Sequence, residues 1–185
     1  PAPVQVTAWG YALPTELPVF DAFFSDPVHL PKDQRDCAAP VVDLPCVVTY
    51  SPPPDCPEAG SLPDRPPVFS SFNRSVKLDA DVLHAWRDIL SRVPNSTLIL
   101  KSDNRDEIGF RHWVAGVMGE SVKQVVFKSP INHFPHMCSY LNVDLGLDPF
   151  LHSGGVTTLE ASWMGVPTVT MPGVRPFSRI SASVY

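Results

Sequence analysis

From residue 68 onward, short apolar segments alternate with amphipathic ones, and this alternation constrains the fold more than any other feature. Short runs of β-branched and aromatic residues are typical of buried strands, whereas apolar residues three or four apart favour helices. The pattern predicts an α/β fold with a Rossmann-like parallel sheet and helices on both faces. We predict strands at 68–72, 97–100, 123–127, 143–147 and 168–171, with helices at 79–93, 106–118, 134–141 and 157–165 between them.

The first 67 residues differ in composition, because 15 of the 22 prolines lie there. Strand-length apolar runs alternate with proline-bounded turns, at 4–9, 19–25, 41–44 and 47–50. Proline has no backbone N–H, so residues 51–67 are predicted to be an extended surface connection. We therefore divide the chain into a proline-rich segment at 1–67 and a nucleotide-binding lobe at 68–185. It begins without methionine and stops inside a predicted helix at 177–185, so we expect a piece of a longer protein.

Composition narrows the classes of partner. With 14 Lys and Arg against 19 Asp and Glu and no basic cluster, nucleic acid is disfavoured as a partner. No apolar run reaches the roughly 18 to 20 residues that span a bilayer. The four cysteines show no C-x-x-C pair and no histidine at zinc-ligand spacing, so we expect idle thiols in a reducing compartment and no metal site: Cys37, Cys46, Cys56 and Cys138.

A glycine-containing segment before the last predicted helix carries the clearest chemical signal. Gly154 and Gly155 remove side chains where a backbone must approach a ligand, and Thr157 and Thr158 place hydroxyls at a helix start. With the first-turn amides they predict an anion cradle for a diphosphate, and Glu160 could accept hydrogen bonds from a ribose diol. An ordinary capped helix, with Thr157 as cap and Glu160 as its reciprocal partner, is the alternative.

A second loop, after the strand at 68–72, carries Asn73, Arg74 and Lys77. Because parallel strands end at one edge of a sheet, this loop is expected to face the same crevice as the glycine segment. Lys77 could neutralise a phosphate as a point charge, although a lone loop lysine is more often only solvated. Two loops on one edge make a shared anion site the stronger hypothesis.

Other motifs are weaker. Asp79 and Asp81 form an Asp-x-Asp pair, but either can cap the following helix, so we expect capping rather than metal binding. His133 and His136 flank a proline before a predicted helix and could stack on a base or simply cap and pack. Nothing in the sequence around the other histidines defines a catalytic role: His29, His84, His112 and His152. The motifs of nicotinamide enzymes, P-loop ATPases, serine hydrolases and zinc proteases are missing.

Four stretches resemble the catalytic region of the protein O-GlcNAc transferase family, including its SPINDLY-type relatives: residues 1–11, 71–77, 86–96 and 154–173. The resemblance implies that 68–185 is the donor-binding lobe of a GT-B glycosyltransferase and 1–67 the end of its first lobe. It implies inverting, metal-independent transfer of GlcNAc from UDP-GlcNAc to protein Ser or Thr, without a cofactor. It further implies N-terminal tetratricopeptide repeats in the longer chain and a cytoplasmic or nuclear location.

The resemblance also implies a role for each candidate residue. Lys77 would be the catalytic residue, because its positive charge would contact the diphosphate and stabilise the leaving group. Asn73 and Arg74 would line the same loop, and His136 would lie against the base. Thr157 and the backbone of 155–158 would hold the β-phosphate, and Glu160 would hold the ribose.

Two departures from the family pattern leave alternatives open. Residues 12–18 lack the glycine-rich turn that relatives carry, so the acceptor side is undefined. Val156 replaces a frequent hydroxyl residue, which removes a possible phosphate hydrogen bond of about 0.5 to 1.5 kcal/mol. A GDP-fucose protein O-fucosyltransferase and a catalytically inactive domain used for protein interaction remain the alternatives.

Overall fold

The proline-rich part of the chain forms a small parallel sheet. The structure, a computed structural model, describes residues 2–8, 12–60, 64–101 and 107–185. The sheet has three strands in the order β1-β2-β3, namely β1 (Val6–Thr7), β2 (Ala22–Ser25) and β3 (Val41–Asp43). These strands are shorter than the predicted runs at 4–9, 19–25 and 41–44, and Trp9 lies outside the described residues.

The strand predicted at 47–50 is wrong, since these residues are irregular. The Val47 N–H donates to the Asp26 carboxylate at 2.9 Å and lies 3.3 Å from the Ser183 hydroxyl. Its backbone hydrogen bond is therefore directed to side chains rather than to a neighbouring strand, although the apolar run itself is typical of strands.

The second sheet has five parallel strands in the order β6-β5-β4-β7-β8. Its strands are β4 (Val68–Ser71), β5 (Thr97–Lys101), β6 (Val125–Lys128), β7 (Leu145–Leu147) and β8 (Thr168–Val169). The α-helices after residue 68 are α1 (Ala80–Arg92), α2 (Glu107–Met118), α3 (His133–Ser139), α4 (Val156–Trp163) and α5 (Ile180–Val184). Short 3-10 helices lie at Ser75–Lys77, Gly119–Gln124, Tyr140–Asn142 and Pro176–Ser178. The alternation of strands and helices is thus confirmed.

Helices cover both faces of the second sheet. Successive strand residues point to opposite faces, and here Leu98 and Leu100 pack in one core while Ile99 packs against the other. The first core contains Trp86 of α1 and Val114 of α2, and the second contains residues of α3 and α4. At α1 the predicted cap is confirmed, because the Asp79 carboxylate accepts the Val82 N–H at 2.9 Å.

Several predicted boundaries shift by one to three residues. The strand predicted from 143 begins at Leu145, because the Val143 N–H closes the preceding 3-10 helix on the Tyr140 carbonyl at 3.1 Å. The predicted helix at 157–165 is α4, and Gly165, at φ +73°, follows it in the left-handed conformation. The helix predicted at 177–185 divides into a 3-10 turn and α5. The predicted start of α2 at 106 lies outside the described residues.

Contacts join the two sheets. The Ser183 hydroxyl of α5 donates to the Asp26 carboxylate after β2, and Arg179 Nε donates to the Val28 carbonyl at 2.6 Å. The division of the chain at residue 67 stays a prediction.

The strand order defines where a ligand would enter. From β4 the chain proceeds outward through β5 to β6, and then returns to the other side of β4 for β7 and β8. The order therefore reverses between β4 and β7, and open parallel sheets bind ligands beyond the carboxyl ends of the strands at such a switch point. The loops that follow β4 and β7 are the two that the sequence analysis selected.

Candidate functional site

The two selected loops meet directly. Lys77 Nζ donates to the Ser153 carbonyl at 2.7 Å, across 76 residues of sequence, and lies 3.4 Å from Asn73 Oδ1. The Thr157 hydroxyl donates to the same Asn73 oxygen at 3.1 Å. Asn73 therefore links the lysine to the start of α4. Lys77 and the glycine segment lie on one side of the molecule, as the sequence predicted.

Basic side chains gather at this edge. Burial lowers the pKa of Lys77, the Asp148 carboxylate opposes that shift and Arg74 adds to it. Burial, Lys77 and Arg74 together lower the pKa of His152. Lys77 and Arg74 therefore lie close enough to His152 to disfavour its charged form. No pattern in the sequence indicates a role for His152, because its contact with Lys77 and Arg74 forms only when the two loops come together.

Asp148, the first residue after β7, organises the glycine segment. Its carboxylate is buried and accepts the Gly154 N–H at 2.6 Å and the Thr170 hydroxyl at 2.7 Å. Burial raises the pKa of Asp148, while those hydrogen bonds and Lys77 partly oppose the rise. Asp148 has no role among the sequence-based predictions, although an acidic residue at the end of a central parallel strand is a usable signal.

There is no room for a side chain at Gly154. A Cβ there would lie 2.6 Å from Thr158 Oγ1 and 2.9 Å from Thr157 Oγ1. Thr158 cannot move away freely, because it is buried and its hydroxyl bonds Ser181 of α5 at 2.8 Å. The Thr158 hydroxyl consequently points into the protein.

The start of α4 presents unpaired amides. Gly155 is the N-cap and makes no side-chain cap hydrogen bond, and the Thr158 N–H donates back to the Gly155 carbonyl at 3.1 Å. Within the described ranges, the amides of Gly155, Val156 and Thr157 have no hydrogen-bond partner. They form a set of donors at the positive end of the helix dipole.

The ordinary capped-helix alternative is wrong. Thr157 bonds Asn73 rather than the helix backbone, and Glu160 does not bond back to the N-cap. Instead, Glu160 Oε1 lies 3.0 Å from His133 Nε2, and Oε2 lies 3.2 Å from His136 Nε2. Both carboxylate oxygens of Glu160 therefore have histidine partners from α3.

This carboxylate is buried and ionised. Burial alone would raise the pKa of Glu160, but the hydrogen bonds from His136 and His133 outweigh it and hold the pKa below its usual value. His136 is buried among aromatic rings, with centroids 5.3 Å from Phe72 and 5.4 Å from Tyr140. The position predicted for the base is thus a buried aromatic cluster in which His136 already has an acidic partner.

A small cavity lies behind the two loops. Its volume is about 20 Å³, room for roughly one water molecule. Asn73, Thr157 and Thr158 line it together with residues of β4, β7 and β8, whereas Lys77, His136 and Glu160 do not.

Three further features bear on the range of possible functions. Among the described residues, no group of three or more His, Cys, Asp or Glu side chains could hold a metal ion. The helices in the described ranges are all too short or too polar to cross a membrane. The four cysteines are free thiols, and each is only partly buried.

Comparison with known proteins gives a family match. A family model described as Glycosyl transferase family 41 matches residues 56–185. Two curated relatives, both described as a probable UDP-N-acetylglucosamine–peptide N-acetylglucosaminyltransferase SPINDLY, come from Arabidopsis thaliana and Oryza sativa. Their identities are 38% over 186 residues and 36% over 185 residues, and each match covers 94% of this chain. The chain spans about a fifth of these relatives, since 20% of each is matched.

A solved structure shows the same fold. The structure of a Thermobaculum terrenum O-GlcNAc transferase mutant matches this chain with a TM-score of 0.87 and 30% identity. The match covers 99% of this chain and 36% of that one. The predicted α/β class with parallel sheets is confirmed, and the fold is GT-B-like.

Proposed function

The chain belongs to glycosyl transferase family 41, the SPINDLY-like O-GlcNAc transferases, and from that premise we propose that it supplies the donor-binding part of a protein glycosyltransferase. The donor is UDP-GlcNAc, and the acceptor is a Ser or Thr hydroxyl of a protein. The names of the SPINDLY relatives support this choice of donor and of a peptide acceptor. Because the chain spans about a fifth of those relatives, acceptor binding falls to other parts of the protein, including tetratricopeptide repeats.

One observation carries the assignment. Lys77 Nζ lies 2.7 Å from the Ser153 carbonyl, beside the unpaired amides at the start of α4 and at the switch point of the sheet. A lysine cation and a helix N-terminus aimed at one crevice suit a diphosphate, because both favour negative charge. We call Lys77 with the Gly155, Val156 and Thr157 amides the phosphate end of the site.

The ribose and the base of the nucleotide bind at the side of the site opposite the phosphate end. Glu160 accepts hydrogen bonds from the ribose hydroxyls, and His136, in its aromatic surroundings, lies against the base. We call His133, His136 and Glu160 the ribose end. Both oxygens of Glu160 have histidine partners, so the ribose has to compete with them.

The reaction follows from where charge develops. An acceptor hydroxyl attacks the anomeric carbon from the face opposite the UDP, so that the configuration inverts as the bond between the sugar and the β-phosphate breaks. The hydroxyl proton passes to a phosphate oxygen of the departing UDP or to water. The departing UDP gains negative charge on its β-phosphate. Lys77, once it exchanges the Ser153 carbonyl for a phosphate oxygen, stabilises that charge together with the helix amides and the neighbouring Arg74 and Thr157. Electrostatic stabilisation of this kind is usually the largest single contribution to catalysis.

Titration of the intact protein with UDP tests the assignment. We expect UDP to bind, and Lys77→Ala to weaken binding about 10- to 100-fold, as for loss of a hydrogen bond from a charged group. Lys123→Ala is the matched control, because Lys123 is exposed and pairs with Glu120 away from the site. Undiminished UDP binding by Lys77→Ala would overturn the assignment.

A separate experiment identifies the sugar donor. Titration with GDP beside UDP, followed by mass spectrometry of an acceptor protein incubated with UDP-GlcNAc or GDP-fucose, distinguishes the two transfer reactions. A HexNAc mass on the acceptor supports the assignment. A deoxyhexose mass from GDP-fucose alone would replace it with fucosyl transfer at the same site.

A non-catalytic role in protein interaction is the second candidate. It is favoured by the ribose end, where the carboxylate that a nucleotide would need is already satisfied by two histidines. Failure of both UDP and GDP to bind the intact protein would support this role over transfer.

A further inference from the structure

Glu160 is enclosed by its two histidine partners. Only 5% of the residue is exposed, so a ligand cannot approach it from open solvent. The most direct way for a ribose hydroxyl to reach a Glu160 oxygen is therefore to take the place of a histidine.

The two histidines differ in how easily they can leave. The His136 side chain is 9% exposed and packs against the rings of Phe72 and Tyr140, which also contact each other. The His133 side chain is 50% exposed and is the first residue of α3. Displacing His136 would disrupt an aromatic cluster, whereas His133 can rotate into water.

We propose that His133 is the residue that the ribose must displace, and that it thereby sets the affinity of the site for ribonucleotides. Without a nucleotide, His133 holds Glu160 Oε1. When a nucleotide enters, a ribose hydroxyl replaces the imidazole on that oxygen while His136 stays on Oε2. His133 can act in this way only if Glu160 binds ribose, so this inference rests on the proposed function.

The exchange makes nucleotide binding depend on pH. A histidine gains positive charge as the pH falls from 8 towards 5, and a charged imidazole binds a carboxylate more strongly. A protonated imidazole on Glu160 Oε1 resists replacement by a neutral hydroxyl more strongly than a neutral imidazole does. A more acidic solution should weaken binding only for ligands that carry the ribose hydroxyls.

The other titratable groups around Glu160 do not produce this effect. Tyr140, in the 3-10 helix after α3, and Tyr50, in the irregular segment, face the carboxylate, and burial raises the pKa of both above their usual value. Both tyrosines are therefore neutral between pH 6 and pH 8. Among the residues that the structure describes, His136 is the other group that faces Glu160, and it is present equally in wild type and in any His133 variant.

Isothermal titration of the intact protein with UDP and with 2′,3′-dideoxy-UDP, at pH 6 and pH 8, tests the exchange. We expect His133→Ala to bind UDP about 3- to 10-fold more tightly at pH 6, the range for a half-exposed ionic hydrogen bond that no longer competes. At pH 8 the gain should be smaller, and dideoxy-UDP should bind wild type and variant equally. Because wild type and variant are compared at the same pH, protonation of the ligand's own phosphate affects both affinities equally.

Two further variants separate this role from a merely structural one. His133→Gln keeps a hydrogen bond without a charge, so its UDP affinity should exceed that of wild type at pH 6 and match it at pH 8. His84→Ala, an exposed histidine on α1, should match wild type with both ligands.

Two results would contradict the exchange. Weaker or unchanged UDP binding by His133→Ala at pH 6 overturns it, as does an equal change for UDP and dideoxy-UDP, which would indicate general loosening of the site. If wild type binds neither UDP nor GDP, the proposed function fails as well, so the two failures are distinguishable.

Discussion

At the phosphate end of the site Lys77 bonds a neutral carbonyl and three amides are unpaired, whereas at the ribose end both oxygens of Glu160 are held by histidines. The phosphate end can accept a ligand with little rearrangement. The ribose end must first exchange a partner. If the site binds a nucleotide as proposed, we expect the phosphate contacts to provide the initial binding free energy and the ribose contacts to adjust it.

A side chain at Gly154, next to the phosphate end, is expected to have the largest effect on this difference between the two ends. Gly154→Ala would place a Cβ 2.6 Å from Thr158 Oγ1 and 2.9 Å from Thr157 Oγ1, so the loop must move. We expect loss of about 1 to 3 kcal/mol of unfolding free energy and UDP affinity lowered at least about 10-fold. Chemical denaturation and UDP titration measure the two effects.

The matched control is Gly116→Ala, in the interior of α2, where an added Cβ meets no atom within 4 Å. That change should raise stability by about 0.5 to 1 kcal/mol, because alanine favours a helix, and should leave UDP binding unchanged. If Gly154→Ala behaved like Gly116→Ala, the phosphate end would not need a glycine.

Asp148 tests whether the phosphate end depends on hydrogen bonds or on charge. Asp148→Ala leaves the Gly154 N–H and the Thr170 hydroxyl without their acceptor, at a cost of about 1 to 3 kcal/mol in unfolding free energy. Asp148→Asn keeps an acceptor at the same place and should lose much less. Equal losses in thermal unfolding of the two variants would show that the charge, not the hydrogen bond, shapes the loop.

The carboxylates at the two ends should affect stability in opposite directions as the pH falls. Glu160 has a lowered pKa, so it stabilises the fold above its unfolded pKa near 4.5, and that stability is lost as the pH falls through its folded value. Asp148 has a raised pKa, so its ionised form destabilises the fold, and protonation relieves this as the pH falls towards 3.8.

Unfolding at pH 7 and below pH 4.5 checks these signs. The destabilisation caused by Glu160→Gln should shrink in acid. At pH 7 Asp148→Asn avoids the cost of the ionised carboxylate, whereas in acid wild type avoids it as well. The unfolding free energy of the variant relative to wild type should therefore be lower in acid than at pH 7. A constant difference at all pH values for Glu160→Gln would contradict the ionised histidine–carboxylate cluster.

The smallest effect is expected at Val156, the first residue of α4, which is 51% exposed. Val156→Thr adds a hydroxyl beside the unpaired amides and should tighten UDP binding about 2- to 10-fold through one further hydrogen bond. Because the side chain is exposed, stability should change little. Unaltered UDP affinity would place the diphosphate away from this side chain.

The sequence was sufficient to predict most of the second sheet, because local periodicity identifies strands and helices without knowledge of their partners. The switch point could be predicted as well, since the loops after the strands at 68–72 and 143–147 carried the lysine and the glycines. The strand at 47–50 could not be rejected from sequence, because the Asp26 and Ser183 side chains that bond Val47 lie 21 and 136 residues away.

The ribose end was also hidden from sequence analysis. Glu160 lies 27 residues from His133 and 24 from His136, and their contact depends on how α3 and α4 pack. The local pattern offered only two alternatives for Glu160, a ribose contact or a capping box with Thr157, and neither includes the histidines. Tertiary contacts satisfied both side chains in another way, and only the assembled structure identifies which partners they have.

The central claim is that Lys77 and the start of α4 bind one diphosphate, and a crystal structure of the intact protein with UDP tests it most directly. We predict that phosphate oxygens lie at about 3 Å from Lys77 Nζ and from at least one amide of residues 155–157. A diphosphate bound elsewhere, with Lys77 Nζ still on the Ser153 carbonyl and the amides without a ligand, would contradict it.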